Sequence, residues 1–334
     1  MIDGKRIIAS AVNLARFVRL FTGFIHFRKE SRQVYQRRVQ PLCKPCLDLF
    51  EPEIQKRLQY RMWHYSTVVA PFFGPLLCRL SGCAVSPALM QTFTLAGAAT
   101  AYFDMVFDDQ LMDPETMAQK EISAFSPSES MYNLFYKILR DQAFDPVAFD
   151  RYLSLLTQVQ RISQAQKDSY ATAAWVDEVT RLKGGLGLLV FRCFVPVRIR
   201  PSEEAALMQA GEGIQLMDDL ADIRQDMTEG IHTAARRFSS PLEFAFYVEN
   251  QFPLIYGSLY KGLYSREASR RFCFELYCSF ALGKVHAYRL TALCLKKRKT
   301  LQELNKADVK LKTDLLFWIR YVGEWIFYLQ DDQT

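Results

Sequence analysis

Two groups of aspartates mark the chemistry this chain could carry out. The run Tyr102 to Asp113 reads YFDMVFDDQLMD and holds Asp104, Asp108 and Asp109, while Gln215 to Asp226 reads QLMDDLADIRQD and holds Asp218, Asp219, Asp222 and Asp226. Both runs are apolar and helix-forming, and ionised carboxylates in such surroundings are costly unless something cationic binds them. Mg²⁺ suits the pattern: it takes oxygen ligands, keeps several waters, and is usually held by one or two carboxylates together with substrate phosphates. Two acidic stripes that would repel each other when empty therefore fit a metal-diphosphate substrate. The competing reading, two solvated helix faces, fits less well because Phe, Leu, Met and Val flank each group closely.

The elements that must position these residues are helices. Apolar residues recur at three- and four-residue spacing almost throughout, with few alternating β-branched runs, so the sequence predicts an all-α protein. Ser86-Pro87 supplies an N-cap and a first-position proline for a helix reaching Asp113, where Pro114 stops it. Asp104 and Asp108 then share one face. Pro201-Ser202 opens the helix of the second group, which ends near Gly230; Asp218, Asp222 and Asp226 step by four residues and drift only about 40° per step. Gln215 and Gly211 extend that stripe.

Elsewhere, Pro41, Pro45 and Pro52 precede a helix over about 53–69. A polar stretch from Ser126 to Ser130 and the pair Asp145-Pro146 read as loops. A helix over about 147–178 leads into Arg181-Leu-Lys-Gly-Gly-Leu-Gly187. Glycine costs roughly 1 kcal/mol against alanine inside a helix, so three of them imply a kink, a close approach to a ligand, or tight helix packing. Residues 241–330 read as three or so further helices with a basic loop, Lys296 to Lys299.

With 334 residues, 50% hydrophobic and 13% aromatic, the chain is globular and can bury a large core. Its formal charge of +6 comes with no recognised nucleic-acid module, so nucleic acid is not an expected partner. The cysteines at 43, 46, 78, 83, 193, 273, 278 and 294 sit mostly in apolar helical stretches and read as reduced core residues of a cytoplasmic protein. Cys43-Lys-Pro-Cys46 is a lone CxxC without a second pair to complete a zinc set. No apolar run is long enough to span a bilayer, and basic residues recur too often near the N-terminus for a signal peptide. Residues 1–45 form a basic amphipathic helical segment, either a solvated outer helix or a peripheral membrane contact. Residues 46–334 form the main helical domain, with oligomeric state left open, a homodimer included.

From about residue 55 to 325 the chain resembles the class I isoprenoid synthases, an all-α superfamily of prenyltransferases, squalene and phytoene synthases and terpene cyclases. Asp104-Met-Val-Phe-Asp108 is similar to the DxxxD form of the first aspartate-rich motif; the DDxxD form would want aspartate at Met105. Asp218-Asp-Leu-Ala-Asp222 is similar to the second DDxxD of prenyltransferases. Asp218, Asp222 and Asp226 also fall on the spacing of the cyclase metal triad, and Asp222-Ile-Arg-Gln-Asp226 on the second DxxxD of squalene and phytoene synthases. The resemblance implies a single large helical bundle around an active-site cavity, with several Mg²⁺ ions held by Asp104, Asp108, Asp109, Asp218, Asp219, Asp222 and Asp226. It further implies that Arg181, Lys183, Arg320 and Tyr321 bind the diphosphate.

The implied reaction is metal-assisted loss of diphosphate from a prenyl diphosphate, leaving a carbocation that aromatic faces can stabilise by up to about 2 kcal/mol each when desolvated. Asp104, Asp108 and Asp222 are the implied catalytic carboxylates. Tyr102, Phe103, Phe107, Trp175, Phe191 and Phe194 are near enough in sequence to line the cavity. Chain-elongating relatives usually carry paired arginines soon after the first motif, and none occur between Asp113 and Arg140. Cyclisation or elimination, as in a terpene synthase, is therefore the first expectation. Condensation of prenyl diphosphates, head-to-head or, less favoured, by a chain-elongating prenyltransferase, is the second, and a non-enzymatic isoprenoid-binding protein the third.

Overall fold

A computed structural model describes residues 4–108, 125–167, 171–262, 264–300, 303–304 and 314–326, and among these there are helices and no strand. The helices are α1 Gly4–Val34, α2 Gln40–Leu47, α3 Pro52–His64, α4 Ala70–Leu80, α5 Pro87–Asp108, α6 Pro127–Gln142 and α7 Pro146–Ser163. They continue as α8 Ala173–Arg192, α9 Pro201–Glu229, α10 Pro241–Glu249, α11 Phe252–Lys261, α12 Arg266–Lys297 and α13 Leu315–Ile326. The all-α expectation holds. None of the described helices is long and apolar enough to cross a membrane.

The chain divides into two compact units, one of residues 21–161 and 189–199, the other of residues 1–20, 162–188 and 200–334. The first contains the Asp104 motif and the second the Asp218–Asp226 motif.

In the first unit α5 is the central element, packed by α3, α4, α6 and the π-helical turn Tyr65–Val69. That turn closes when the Ala70 N–H reaches the Tyr65 carbonyl, just before Pro71, which has no N–H to continue the ladder. The helix expected over 53–69 thus runs on through the turn into α4. A β-carbon on Gly74 would sit 2.5 Å from the Phe93 ring, and this lets α4 approach α5. Phe93 in turn lies parallel to Phe191, with centroids 6.2 Å apart, and edge-on to Phe194. Each fully buried aromatic of this kind contributes about 2–3 kcal/mol.

In the second unit α9 packs against α10, α11, α12 and the short 3-10 turn Ala234–Arg237. Its end is set by Gly230, whose φ of 73° terminates the helix in the left-handed region. Gly184 and Gly211 bring α8 and α9 into backbone contact: a β-carbon on Gly184 would lie 2.0 Å from the Gly211 carbonyl oxygen. Tight packing therefore accounts for Gly184, and α8 runs through it without a break.

Three local expectations are corrected. Ser126 to Ser130 is not a loop: Ser126 caps α6 in a capping box with Glu129, so the polar residues begin a helix. The helix expected over 147–178 is two helices, because α7 ends in a 3-10 turn and Thr172 caps the start of α8. Lys296 and Lys297 belong to the last turn of α12, and Arg298, at φ 51°, ends that helix.

Candidate functional site

The first carboxylate group sits at the end of α5. Asp104 is half-buried, and both its oxygens are engaged: Arg61 Nη2 donates to Oδ2 at 2.8 Å and Gln160 Nε2 to Oδ1 at 2.9 Å. Arg61 comes from α3, 43 residues upstream, and Gln160 from α7, 56 residues downstream. No local spacing pointed to either. Just before Asp104, the Tyr102 hydroxyl donates to the Ser128 carbonyl, so α5 and α6 are tied together beside the motif. Asp108 is the last described residue of α5, and Asp109, like the helix end expected at Asp113, lies outside the described residues.

The second group is built differently. Asp218 and Asp222 are exposed, Asp226 is half-buried and Asp219 is buried. Gln215 Nε2 donates to Asp219 Oδ1 at 3.3 Å, the Ala234 backbone N–H also donates to this carboxylate, and Lys183 lies near enough to favour its charge. Asp219 Oδ2 is buried without a hydrogen bond. Burial raises the Asp219 carboxyl to about 6 in spite of these donors. Burial raises Asp226 further, to about 8, with the charges of Asp219, Asp222 and Asp218 adding to the shift.

Local structure explains how Ala234 reaches Asp219. After Gly230 turns the chain, the Ile231 N–H bonds the Asp226 carbonyl at 2.8 Å. His232 is then fixed in both directions: its N–H donates to the Gln166 carbonyl at 2.7 Å, and Gln166 Nε2 donates to the His232 carbonyl at 3.1 Å. Arg237 anchors the following turn through Asp177, at 2.7 Å. Thr233 and Ala234 are thereby held buried against the acidic face of α9.

Of the expected diphosphate ligands, Lys183 is brought to the second motif. Arg181, on the same helix, is bound by Glu178 at 2.6 Å. Arg320 is exposed on α13, whereas Tyr321 is buried and its hydroxyl donates to the Cys278 carbonyl at 3.1 Å. Among the expected aromatics, Phe191 and Phe194 belong to the ring cluster around Phe93. Phe107 and Tyr102 are buried, and Phe103 and Trp175 half-buried. All eight cysteines are free, and burial pushes the Cys43, Cys78 and Cys193 thiols up to about 12, which leaves them protonated.

Among the described residues no cluster of three or more His, Cys, Asp or Glu could enclose a metal. Mg²⁺ asks less of a protein, one or two carboxylates with water and phosphate completing the shell. The buried oxygen of Asp219 without a hydrogen bond and the raised pKa of Asp226 are what a cation on α9 would relieve, so these residues fit Mg²⁺.

No family model matches the chain, and no curated protein matches it in sequence. Among solved structures it is similar to a geranyltransferase from Legionella pneumophila, at 16% identity over 77% of this chain and 98% of that one, with a TM-score of 0.47. At that identity and TM-score the likeness settles neither family nor activity.

Proposed function

We propose that the protein is a Mg²⁺-dependent class I terpene synthase that ionises a prenyl diphosphate and cyclises the carbocation or quenches it by elimination. The observation that carries this reading is the state of α9: Asp219 holds a buried oxygen with no hydrogen bond beside Asp226, whose carboxyl is pushed up to about 8 by burial and by its acidic neighbours. A helix charged in this way suits a partner that is cationic and itself carries phosphate. Bound Mg²⁺ would neutralise charge developing on the departing diphosphate. On this reading Asp218, Asp219, Asp222 and Asp226 hold the metal, and Asp104 and Asp108 of the first motif are proposed as further metal ligands. Lys183, near Asp219, meets the phosphate oxygens, with Arg181 proposed as a further contact; Arg320, exposed on α13, and Tyr321, whose hydroxyl is given to the Cys278 carbonyl, take no part in this reading.

Head-to-head condensation is the second reading, favoured by the DxxxD spacing of Asp104 with Asp108 and of Asp222 with Asp226. Incubating the protein with geranyl, farnesyl, geranylgeranyl and longer prenyl diphosphates, with Mg²⁺ or EDTA, separates the two by product carbon number: unchanged for a cyclase, doubled for a condensing enzyme. Absence of diphosphate release from every substrate refutes both.

A further inference from the structure

The last described helix, α13, reads LLFWIRYVGEWI and is apolar nearly all the way round. Its inner side is accounted for: Phe317 and Tyr321 are buried, and Tyr321 reaches the Cys278 carbonyl of α12. Its outer side is not. Leu315, Leu316, Trp318 and Ile319 are 77, 56, 44 and 59% exposed, on a face no described element covers. An apolar face of that kind marks an interaction site more often than a solvated surface.

Among the described residues, the charges clustered near this face are basic. The acidic residues of the helix region are already engaged by cations, Asp314 by Arg289 at 3.4 Å and Glu324 by Lys284 at 3.0 Å. The Arg289 and Cys278 contacts make α12 and α13 antiparallel. The end of α12 therefore extends about 12 Å past Arg289, beyond the start of α13. It carries Lys296, Lys297, Arg298 and Lys299, all exposed, after Leu295 at 75% exposure. The neighbouring Glu303 is occupied in bonding the Thr300 N–H and hydroxyl. Phe17 of α1 meets Tyr321 edge-on at 6.2 Å, and the neighbouring Arg16, exposed, lies over the Phe274 ring of α12.

We propose that the outer face of α13 and the basic end of α12 form a docking surface for an anionic lipid bilayer. Trp318 and the exposed leucines enter the headgroup boundary, and the lysines and arginines meet lipid phosphate or carboxylate. A second copy of the chain suits the face less well, because a two-fold contact through it would set one basic cluster against another. The surface lies outside the acidic motifs, so the proposal stands whatever substrate they take.

Sedimentation of the full chain with phosphatidylcholine vesicles, alone or with about a third phosphatidylglycerol, tests this. Binding to the anionic vesicles only, with a blue shift of tryptophan emission lost in Trp318→Ser, is the expected result. Each of Lys296→Glu and Lys299→Glu should weaken binding about fivefold or more, and salt should weaken it further. The four positions are exposed, and unchanged thermal melting of the variants confirms intact folding. Three results would each overturn the proposal: no binding to anionic vesicles at low salt, binding unaffected by these substitutions, or self-association abolished by Ile319→Glu without vesicle binding.

Discussion

Asp104 and Asp219 are the same side chain in similar apolar helices, yet their surroundings are opposite. Asp104 has each oxygen taken by a neighbour from a distant helix, one of them a guanidinium. Asp219 is more deeply buried, keeps one oxygen without a hydrogen bond, and shares its helix with an Asp226 carboxyl raised to about 8. An acidic motif in sequence is thus not one physical state. At α5 negative charge is matched by the protein itself, whereas at α9 burial disfavours it until something cationic matches it. A cation should be drawn first to α9, and α5 must exchange a protein partner before it can serve a metal.

The largest effect should come from removing charge at α9. Asp219→Asn and Asp226→Asn are each expected to lower Mg²⁺-dependent diphosphate release by about a hundredfold or more, the loss of several kcal/mol of charge stabilisation. The same variants should melt several degrees higher than the parent in EDTA, because the cost of burying a carboxyl that is ionised in the unfolded chain has gone. Activity and stability moving in opposite directions is the signature. If both fall together, the carboxylates are structural and the contrast between the motifs has been misread.

A second effect tests how α9 is held. Gly184→Ala places a β-carbon 2.0 Å from the Gly211 carbonyl oxygen, backbone against backbone, and should cost about 3 kcal/mol in denaturant unfolding. Gly187→Ala, three residues on, meets nothing within 4 Å and should be neutral or stabilising by about 0.5–1 kcal/mol. Equal costs at the two positions would mean that the close approach of α8 and α9 does not exist in solution.

The pH dependence of the metal-free protein follows from the same helix. Asp219 and Asp226 hold their protons more tightly in the folded protein, at about 6 and about 8, than in the unfolded chain, at about 4. Their contribution to stability is therefore full below about pH 4 and is lost as pH rises through 6 and then 8, by up to about 1.4 kcal/mol per pH unit for each group while it titrates. Melting temperature in EDTA should fall between about pH 4 and 8 and level off above, and Asp226→Asn should flatten the upper part of that fall. A parent protein with no such slope would show that α9 is already neutralised.

The helices were legible in the sequence because periodicity and punctuation act locally: Ser86-Pro87, Pro201 and Gly230 bound α5 and α9 close to where they were expected. The split of the helix expected over 147–178 was not legible, since the His232 backbone that grips Gln166 comes from 66 residues away. The acidic stripe of α9 could be read from its four-residue steps, and Lys183 from its place beside Gly184. What could not be read was the difference between the motifs. Arg61 and Gln160 become partners of Asp104 only once α3, α5 and α7 have packed, and the burial of Asp219 depends on the turn that delivers Ala234.

The smallest expected effect bears most directly on that difference. The Arg61 and Asp104 side chains are 30 and 24% exposed, so solvent screens their ion pair and its worth is about 1 kcal/mol. Arg61→Ala should lower stability by that amount. If Arg61 competes with metal for Asp104, the Mg²⁺ concentration for half-maximal diphosphate release should fall about fivefold, the same energy seen as affinity. Arg61→Gln, which keeps a donor without the charge, should shift it nearly as far. A different outcome is equally readable: unchanged Mg²⁺ dependence with KM for the prenyl diphosphate raised tenfold would move Arg61 from partner of Asp104 to ligand of the substrate. The two motifs would then differ in which ion each awaits, a cation at α9 and a diphosphate at α5.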